Sequence, residues 1–131
     1  LIGPNMAEFG PRFPDMHDCY SKAVRDKATN IANDLNIKLQ YGCYVGTTGP
    51  TFETPKEYGY FRFIGGDAVG MSTAPEVIAA RHMGLPVFGV SIITNAAFSG
   101  QKSTHEEVQQ EGRKAEKRMT ALFSALVTKV K

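Results

Sequence analysis

The sequence has few cysteines. Its 131 residues include two, Cys19 and Cys43, and neither stands at a metal-binding spacing from another cysteine or from a histidine. Two isolated cysteines are not typical of the disulfide frameworks of small secreted domains or of zinc sites. We therefore expect no metal, and we expect both cysteines to be small core or near-surface residues in a reducing, cytoplasmic compartment.

The chain also lacks a large excess of charge and long apolar runs. Its formal net charge is +2, and no basic stripe with interleaved aromatic residues is present, so we expect no nucleic-acid partner. No apolar run approaches the roughly 20 residues that span a membrane, and no signal peptide is visible, so we expect no membrane association. The sequence begins with Leu1 rather than methionine, and we expect it to be a fragment or a processed piece.

Strand-like and helical patterns alternate along the chain. Strand patterns cover roughly residues 39–48, 68–71 and 87–93. Helical patterns cover roughly residues 16–35, 54–64, 74–83 and 105–131, with Asp15 as the expected cap of the first. This alternation predicts an α/β fold, with a mixed, largely parallel sheet flanked by helices, and the length suits a single domain over residues 1–131.

A Thr-x-x-Glu sequence follows each strand pattern, beginning at Thr54, Thr73 and Thr104. This is the spacing of a capping box, in which hydroxyl and carboxylate each accept from a backbone N–H at a helix start. For one such junction, a capped helix with no ligand is the simpler interpretation. Three junctions at strand ends favour a ligand site, because helix starts bind anions and open α/β sheets bind ligands at this edge. Ser72, just before the second junction, is placed to bind an oxyanion.

Two polar residues could recognise a planar heterocycle. Glu53 follows Phe52 in a Gly-Pro turn, where its carboxylate could accept two hydrogen bonds from a ring lying against the phenyl group. Asn95 ends a very apolar segment and offers both a donor and an acceptor, so the pair could read two edges of one base. The alternative interpretations are a helix-start carboxylate and a turn-forming amide.

Other candidate residues lie nearby in the pattern. His105 begins the last helix, where a neutral imidazole suits contact with a sugar hydroxyl, the alternative being a surface histidine. Gly70 and Met71 would bring backbone amides close to a ligand, whereas Tyr44 fits the core better than the site. No Cys-His or Ser-His-Asp arrangement is evident.

Four runs in this order carry a family resemblance: residues 49–54 (GPTFET), 66–76 (GDAVGMSTAPE), 93–95 (ITN) and 105–108 (HEEV). Together they resemble the trimeric purine nucleoside phosphorylases, over essentially all 131 residues. The resemblance is to the C-terminal half of such an enzyme, and it implies a nucleoside phosphorylase-like fold of which this chain holds that half.

The resemblance implies phosphate-dependent cleavage of the N-glycosidic bond of 6-oxopurine (deoxy)ribonucleosides such as inosine and guanosine. The products would be the free base and (deoxy)ribose 1-phosphate, in purine salvage. It implies no cofactor, inorganic phosphate as co-substrate, and a homotrimer in the full-length protein.

The resemblance also implies residue roles. Glu53 would bind the N1 side of the purine, and Asn95 would hydrogen-bond N7 and the 6-oxo edge, as the two catalytic residues. The other expected contacts are Phe52 and Thr94 in the substrate pocket, Met71 at the ribose, His105 at the 5′-hydroxyl, and Ser72 at phosphate.

Two alternatives stay open. Methylthioadenosine phosphorylases resemble this pattern but place Asp where Asn95 stands and lack the Phe-Glu pair. In the loop that follows Asn95, relatives often have smaller residues than Phe98. The family's N-terminal half supplies a Gly-rich serine loop and an Arg/His phosphate cradle, neither of which is in this sequence. We therefore expect this chain alone to be inactive, and a non-catalytic purine-binding or assembly piece is the other interpretation.

Overall fold

A computed structural model of the chain describes residues 4–97 and 104–130. After a 3₁₀ turn at Ala7–Phe9, the regular elements in chain order are α1 (Lys22–Asp34), β1 (Tyr44–Gly46), α2 (Pro55–Phe63), β2 (Ala68–Gly70), α3 (Ala74–His82) and α4 (His105–Lys129). The alternation confirms the predicted α/β class. Phe98 lies outside the described residues.

The sheet of the described residues consists of β1 and β2, which run parallel. Tyr44 pairs with Ala68, and Gly46 pairs with Gly70. Parallel neighbours need a crossover connection, and α2 supplies it. The β1–α2–β2 unit therefore brings the residues that follow both strands to the same edge of the sheet.

The hydrophobic core lies between α1 and α4. Its buried members are Ala28, Ile31 and Ala32 on α1, with Leu122 and Leu126 on α4. These residues recur at three- and four-residue spacings, as expected for the apolar stripe of a helix that packs on a neighbour. The C-terminal half of α4 thus packs against α1, while Val108, near the N-terminal end of α4, lies by residues of β2.

The first helix is shorter than predicted, and Asp15 does not cap it. Ser21 is the cap, with its hydroxyl accepting from the backbone N–H of Val24 at 3.4 Å. Asp15 instead accepts from the backbone N–H of His17 at 2.9 Å, a local turn that competes with helix formation. A short polar side chain can cap a helix or close a turn, and here the turn forms.

The predicted strand over residues 87–93 is wrong: the structure has no strand there, although the sequence is rich in β-branched residues. A strand needs a hydrogen-bonding neighbour, and in the described part of the chain neither β1 nor β2 pairs with this segment. Its carbonyl at Val87 instead accepts from the N–H of Ser21 at 2.8 Å. The first predicted strand, residues 39–48, is likewise reduced to β1.

Among the described residues, no helix combines the length and the apolar character needed to cross a membrane.

Candidate functional site

A cavity of about 710 Å³ lies beside β2. Its walls come from β2 and the residues around it, from α2 and the two residues Phe52 and Glu53 before it, from residues 92–97, and from Val108 on α4. Five of the seven predicted site residues line it: Phe52, Glu53, Met71, Thr94 and Asn95. Residues that are up to 43 positions apart in sequence therefore line one space, although no strand precedes Thr94 and Asn95.

The Glu53 carboxylate is half-buried in the cavity wall and has two hydroxyl partners. The Thr47 hydroxyl has two acceptors within reach of its one proton, Glu53 Oε1 at 3.3 Å and the Gly70 carbonyl at 3.4 Å. The Tyr58 side chain also hydrogen-bonds Glu53, and since the partner is a carboxylate the phenol is the donor. Burial raises the pKa of Tyr58 above its usual 10.0, and the Glu53 charge and this hydrogen bond raise it further. Tyr58 is therefore a stable donor at neutral pH.

Thr94 orients the amide of Asn95. Its hydroxyl donates to Asn95 Oδ1 at 2.8 Å. With the amide oxygen accepting from Thr94, the amide NH₂ is the part of Asn95 that can donate to a ligand. The cavity thus combines an acidic acceptor at Glu53 with an amide donor at Asn95.

Two apolar side chains form a partly open wall. Phe52 is 44% exposed and Met71 is 47% exposed, although both line the cavity. Gly49 fits beside Met71 because a Cβ at that position would overlap the Met71 sulfur, and its φ of 59° is one that glycine adopts readily. A flat apolar ring could cover both exposed faces.

A family model described as the Phosphorylase superfamily matches residues 1–128. The chain belongs to the phosphorylase superfamily. It is 49% identical over 129 residues to purine nucleoside phosphorylase 1 of Bacillus subtilis, covering 97% of this chain and 48% of that protein. The chain therefore spans about half the length of the curated relatives it matches. The match confirms the resemblance to purine nucleoside phosphorylases that the four sequence runs indicate.

Solved structures give the same relationship. Isoform 2 of the Schistosoma mansoni purine nucleoside phosphorylase, in complex with cytosine and ribose-1-phosphate, superposes with a TM-score of 0.94 at 36% identity over 100% of this chain and 48% of that one. Structures of schistosome purine nucleoside phosphorylase in complex with hypoxanthine and in complex with adenosine each have a TM-score of 0.91 at 38% identity, over 99% of this chain and 49% of theirs. The fold is thus that of a phosphorylase-superfamily protein.

The junction between β2 and α3 of this superfamily member differs from the predicted capping box. Thr73 makes no side-chain cap, and its φ of 71° and ψ of −60° place it in the left-handed half of the backbone map. The N–H of Ala74 donates to the carbonyl of Ser72 at 2.7 Å, so Thr73 is the central residue of a γ-turn of the rare positive-φ form. The γ-turn replaces the extended backbone that a capping threonine has at α2 and α4, and the Thr73 hydroxyl makes no cap hydrogen bond, so the predicted cap is wrong. Strained backbone of this kind concentrates at functional sites.

Ser72 lies in that turn and outside the cavity wall. Its backbone N–H donates to the hydroxyl of Tyr44 at 3.3 Å, and its own hydroxyl lies 3.3 Å from that of Thr73. Tyr44, predicted as core, is half-buried and supports the junction. A phosphate contact from Ser72 stays a prediction.

His105 is exposed at the start of α4 and is not part of the cavity wall. Its Nε2 lies 2.8 Å from Nε2 of Gln109, one helical turn later. The capping box at this helix start is confirmed, since Thr104 and Glu107 exchange both hydrogen bonds. A sugar contact from His105 also stays a prediction, and Val108 is the residue of α4 that reaches the cavity.

Sequence reasoning missed Thr47 and Tyr58. The sequence spacing could have indicated Tyr58, because Tyr58 lies five residues after Glu53. The capping box of Thr54 and Glu57 places the residues between Glu53 and Tyr58 in the first turn of α2. A residue one turn into that helix can face back to the helix start. Within residues 4–97 and 104–130, no group of three or more His, Cys, Asp and Glu side chains is placed to hold a metal ion.

Proposed function

We propose that the protein to which this chain belongs cleaves the N-glycosidic bond of 6-oxopurine (deoxy)ribonucleosides with inorganic phosphate, giving the free base and (deoxy)ribose 1-phosphate. The observation that carries the proposal is that Glu53, Asn95 and Phe52 all line one cavity. Membership of the phosphorylase superfamily and the likeness to purine nucleoside phosphorylases support it.

The chemistry that we assign to Asn95 is stabilisation of the leaving base. As the glycosidic bond lengthens, the sugar gains positive charge and the base gains negative charge at N7 and the 6-oxo oxygen. An amide NH₂ that donates there binds the transition state more tightly than the ground state, which lowers the barrier. The Thr94 hydrogen bond to the amide oxygen presents the NH₂ without a rotation during the reaction.

We assign base recognition to Glu53 and Phe52. The carboxylate accepts from N1–H of a 6-oxopurine, a group that an adenine ring does not carry. The phenyl ring of Phe52, which lines the cavity and is 44% exposed, would cover one face of the base. A charged hydrogen bond at the ring edge and apolar contact on its face give orientation together with affinity.

The ribose and phosphate contacts extend the same proposal. Met71 would contact the ribose, Ser72 the phosphate and His105 the 5′-hydroxyl. No further cofactor is needed, because phosphate itself is the nucleophile. We also propose a homotrimer acting in cytoplasmic purine salvage, on the resemblance to the trimeric enzymes.

A second candidate function is purine binding without turnover by this chain alone. The specific observation in its favour is that Ser72 and His105 stand outside the cavity that Glu53 and Asn95 line. A phosphate held by a hydroxyl and one helix start would lack the charge-assisted hydrogen bonds that an arginine gives.

Calorimetric binding of hypoxanthine tests the base site, which both functions share. We expect hypoxanthine to bind and Glu53→Gln to weaken binding at least about tenfold, the loss typical of a hydrogen bond to a charged group. Glu57→Gln is the matched control, because Glu57 is a neighbouring helix-start carboxylate outside the cavity. Equal affinities for the unchanged chain and Glu53→Gln would contradict the proposed site.

A further inference from the structure

We propose that Tyr58 and Thr47 are positioning residues that fix the Glu53 carboxylate in the plane of the base and thereby favour guanosine over inosine. The inference rests on the proposed function and names a specificity device for its base site. Neither residue needs to touch the substrate for this role.

The two hydroxyl donors approach Glu53 from different elements. Thr47 follows β1 directly and donates to Glu53 Oε1 at 3.3 Å, while Tyr58 lies on α2 and hydrogen-bonds the same carboxylate. Glu53 and Tyr58 are both half-buried and both line the cavity. The Thr47 hydroxyl shares its one proton between Glu53 Oε1 and the Gly70 carbonyl, which lies 3.4 Å away. A carboxylate with donors on two sides is nevertheless less free to rotate about its last torsion than one with a single donor.

Both donors are themselves held in place. The backbone N–H of Thr47 donates to the carbonyl of Gly70 at 2.9 Å, which continues the β1–β2 pairing by one residue. The N–H of Tyr58 donates to the carbonyl of Thr54 at 3.1 Å, in the turn that the capping box closes. The Glu53 side chain is thus tied to the end of the sheet and to the first turn of α2.

The chemistry of the two bases explains the preference. Guanine presents N1–H and an exocyclic 2-amino group on one edge, which together match both oxygens of one coplanar carboxylate. Hypoxanthine presents N1–H and no 2-amino group, so one oxygen suffices and a rotated carboxylate still serves it. Holding the carboxylate rigid therefore benefits guanosine more than inosine.

The test uses Tyr58→Phe and Thr47→Val, which remove one hydroxyl each and keep the shape of the side chain. The matched controls are Tyr60→Phe, on the same helix but exposed, and Thr48→Val, the exposed neighbour of Thr47. Dissociation constants for guanosine and inosine are measured by calorimetry without phosphate, so that no turnover occurs. Far-ultraviolet circular dichroism confirms that each variant is folded.

We expect Tyr58→Phe and Thr47→Val each to weaken guanosine binding about three- to tenfold and inosine binding less than about twofold, the range of one hydrogen bond's net contribution. The controls should change neither constant by more than about twofold. An unchanged ratio of the two constants in both variants, whether from equal loss or from no loss, would overturn the inference. Absence of nucleoside binding by the unchanged chain would instead overturn the proposed function on which it rests.

Discussion

Replacing Asn95 by Asp changes one group in the candidate site. The side chain keeps its length and keeps an oxygen that can accept from the Thr94 hydroxyl, as Oδ1 does now at 2.8 Å. The amide NH₂ becomes a carboxylate oxygen, so a donor to the base becomes an acceptor. For a 6-oxopurine, two acceptors then face each other. For a 6-aminopurine, the new oxygen meets an amino donor.

The size of the effect follows from that exchange. A hydrogen bond to a charged or strongly polar group contributes about 1.5–3 kcal/mol, and leaving two acceptors opposed forfeits it. Asn95→Asp should therefore weaken hypoxanthine binding about 10- to 150-fold, at 1.4 kcal/mol per factor of ten. Adenine, whose 6-amino group gains a partner, should bind more tightly to the variant than to the unchanged chain.

Calorimetric titration with hypoxanthine and adenine measures both constants. The control is Asn30→Asp, which makes the same charge change on the exposed surface of α1 and should alter the dissociation constant of neither base. An unchanged preference for hypoxanthine over adenine in Asn95→Asp would refute the assignment of Asn95 to the 6-oxo edge. It would leave Asn95 as an amide that shapes the turn.

Three further predictions concern stability, each measured by urea denaturation. Thr54→Ala should lower the free energy of unfolding by about 1 kcal/mol because it removes a side-chain cap. Thr73→Ala should change it by less than about 0.5 kcal/mol because the Thr73 side chain makes no cap hydrogen bond. Equal losses would contradict this assignment of the caps. Leu122→Ala, at a fully buried position, should lower the free energy of unfolding by about 3–5 kcal/mol. Leu85→Ala, at a 49% exposed position, should lower it by less than about 1 kcal/mol. Similar losses would place the hydrophobic core elsewhere. Hydrogen bonds from the Thr54 backbone and side chain lower the pKa of Glu57 below its usual 4.5. The contribution of Glu57 to the free energy of unfolding is therefore present above pH 4.5 and is lost as the pH falls through the lower folded-state pKa. Glu57→Gln should flatten this acid-side decline in stability, and an unaltered dependence of stability on pH would count against the capping box.

Local hydrogen bonds made two helix starts predictable. At α2 and α4 the Thr-x-x-Glu spacing is sufficient, because the bonds that satisfy the helix start lie within four residues of one another. The same spacing at Thr73 fails because a residue before the helix can also close a γ-turn, and the choice depends on how β2 delivers the chain to α3.

Elements that depend on distant neighbours were less predictable. Residues 87–93 have the composition of a strand, but pairing is a property of two segments, and the described part of the chain provides no partner for them. The hydrogen bonds of Thr47 and Tyr58 to Glu53 also depend on tertiary placement, across the β1–α2 connection. The predicted residues Phe52, Glu53, Met71, Thr94 and Asn95 line the cavity, whereas Ser72 after β2 and His105 at the start of α4 do not, and the supporting hydroxyls were not predicted.

The family could be recognised from four short runs because glycine, proline and polar residues at fixed positions reflect the geometry of a site. The match of residues 1–128 to the phosphorylase superfamily confirms that recognition. Roles of individual side chains are finer than family membership, and for Ser72 and His105 in particular they await measurement.

The central claim is phosphorolysis at the cavity beside β2, and release of hypoxanthine from inosine tests it most directly. The assay follows free hypoxanthine with and without inorganic phosphate, using the full-length protein to which this chain belongs and its Asn95→Asp variant. Our account predicts release that requires phosphate and that Asn95→Asp reduces. No release from the full-length protein, or release at the same rate with phosphate withheld, would contradict it. In the first case, retained hypoxanthine binding would favour the purine-binding function instead.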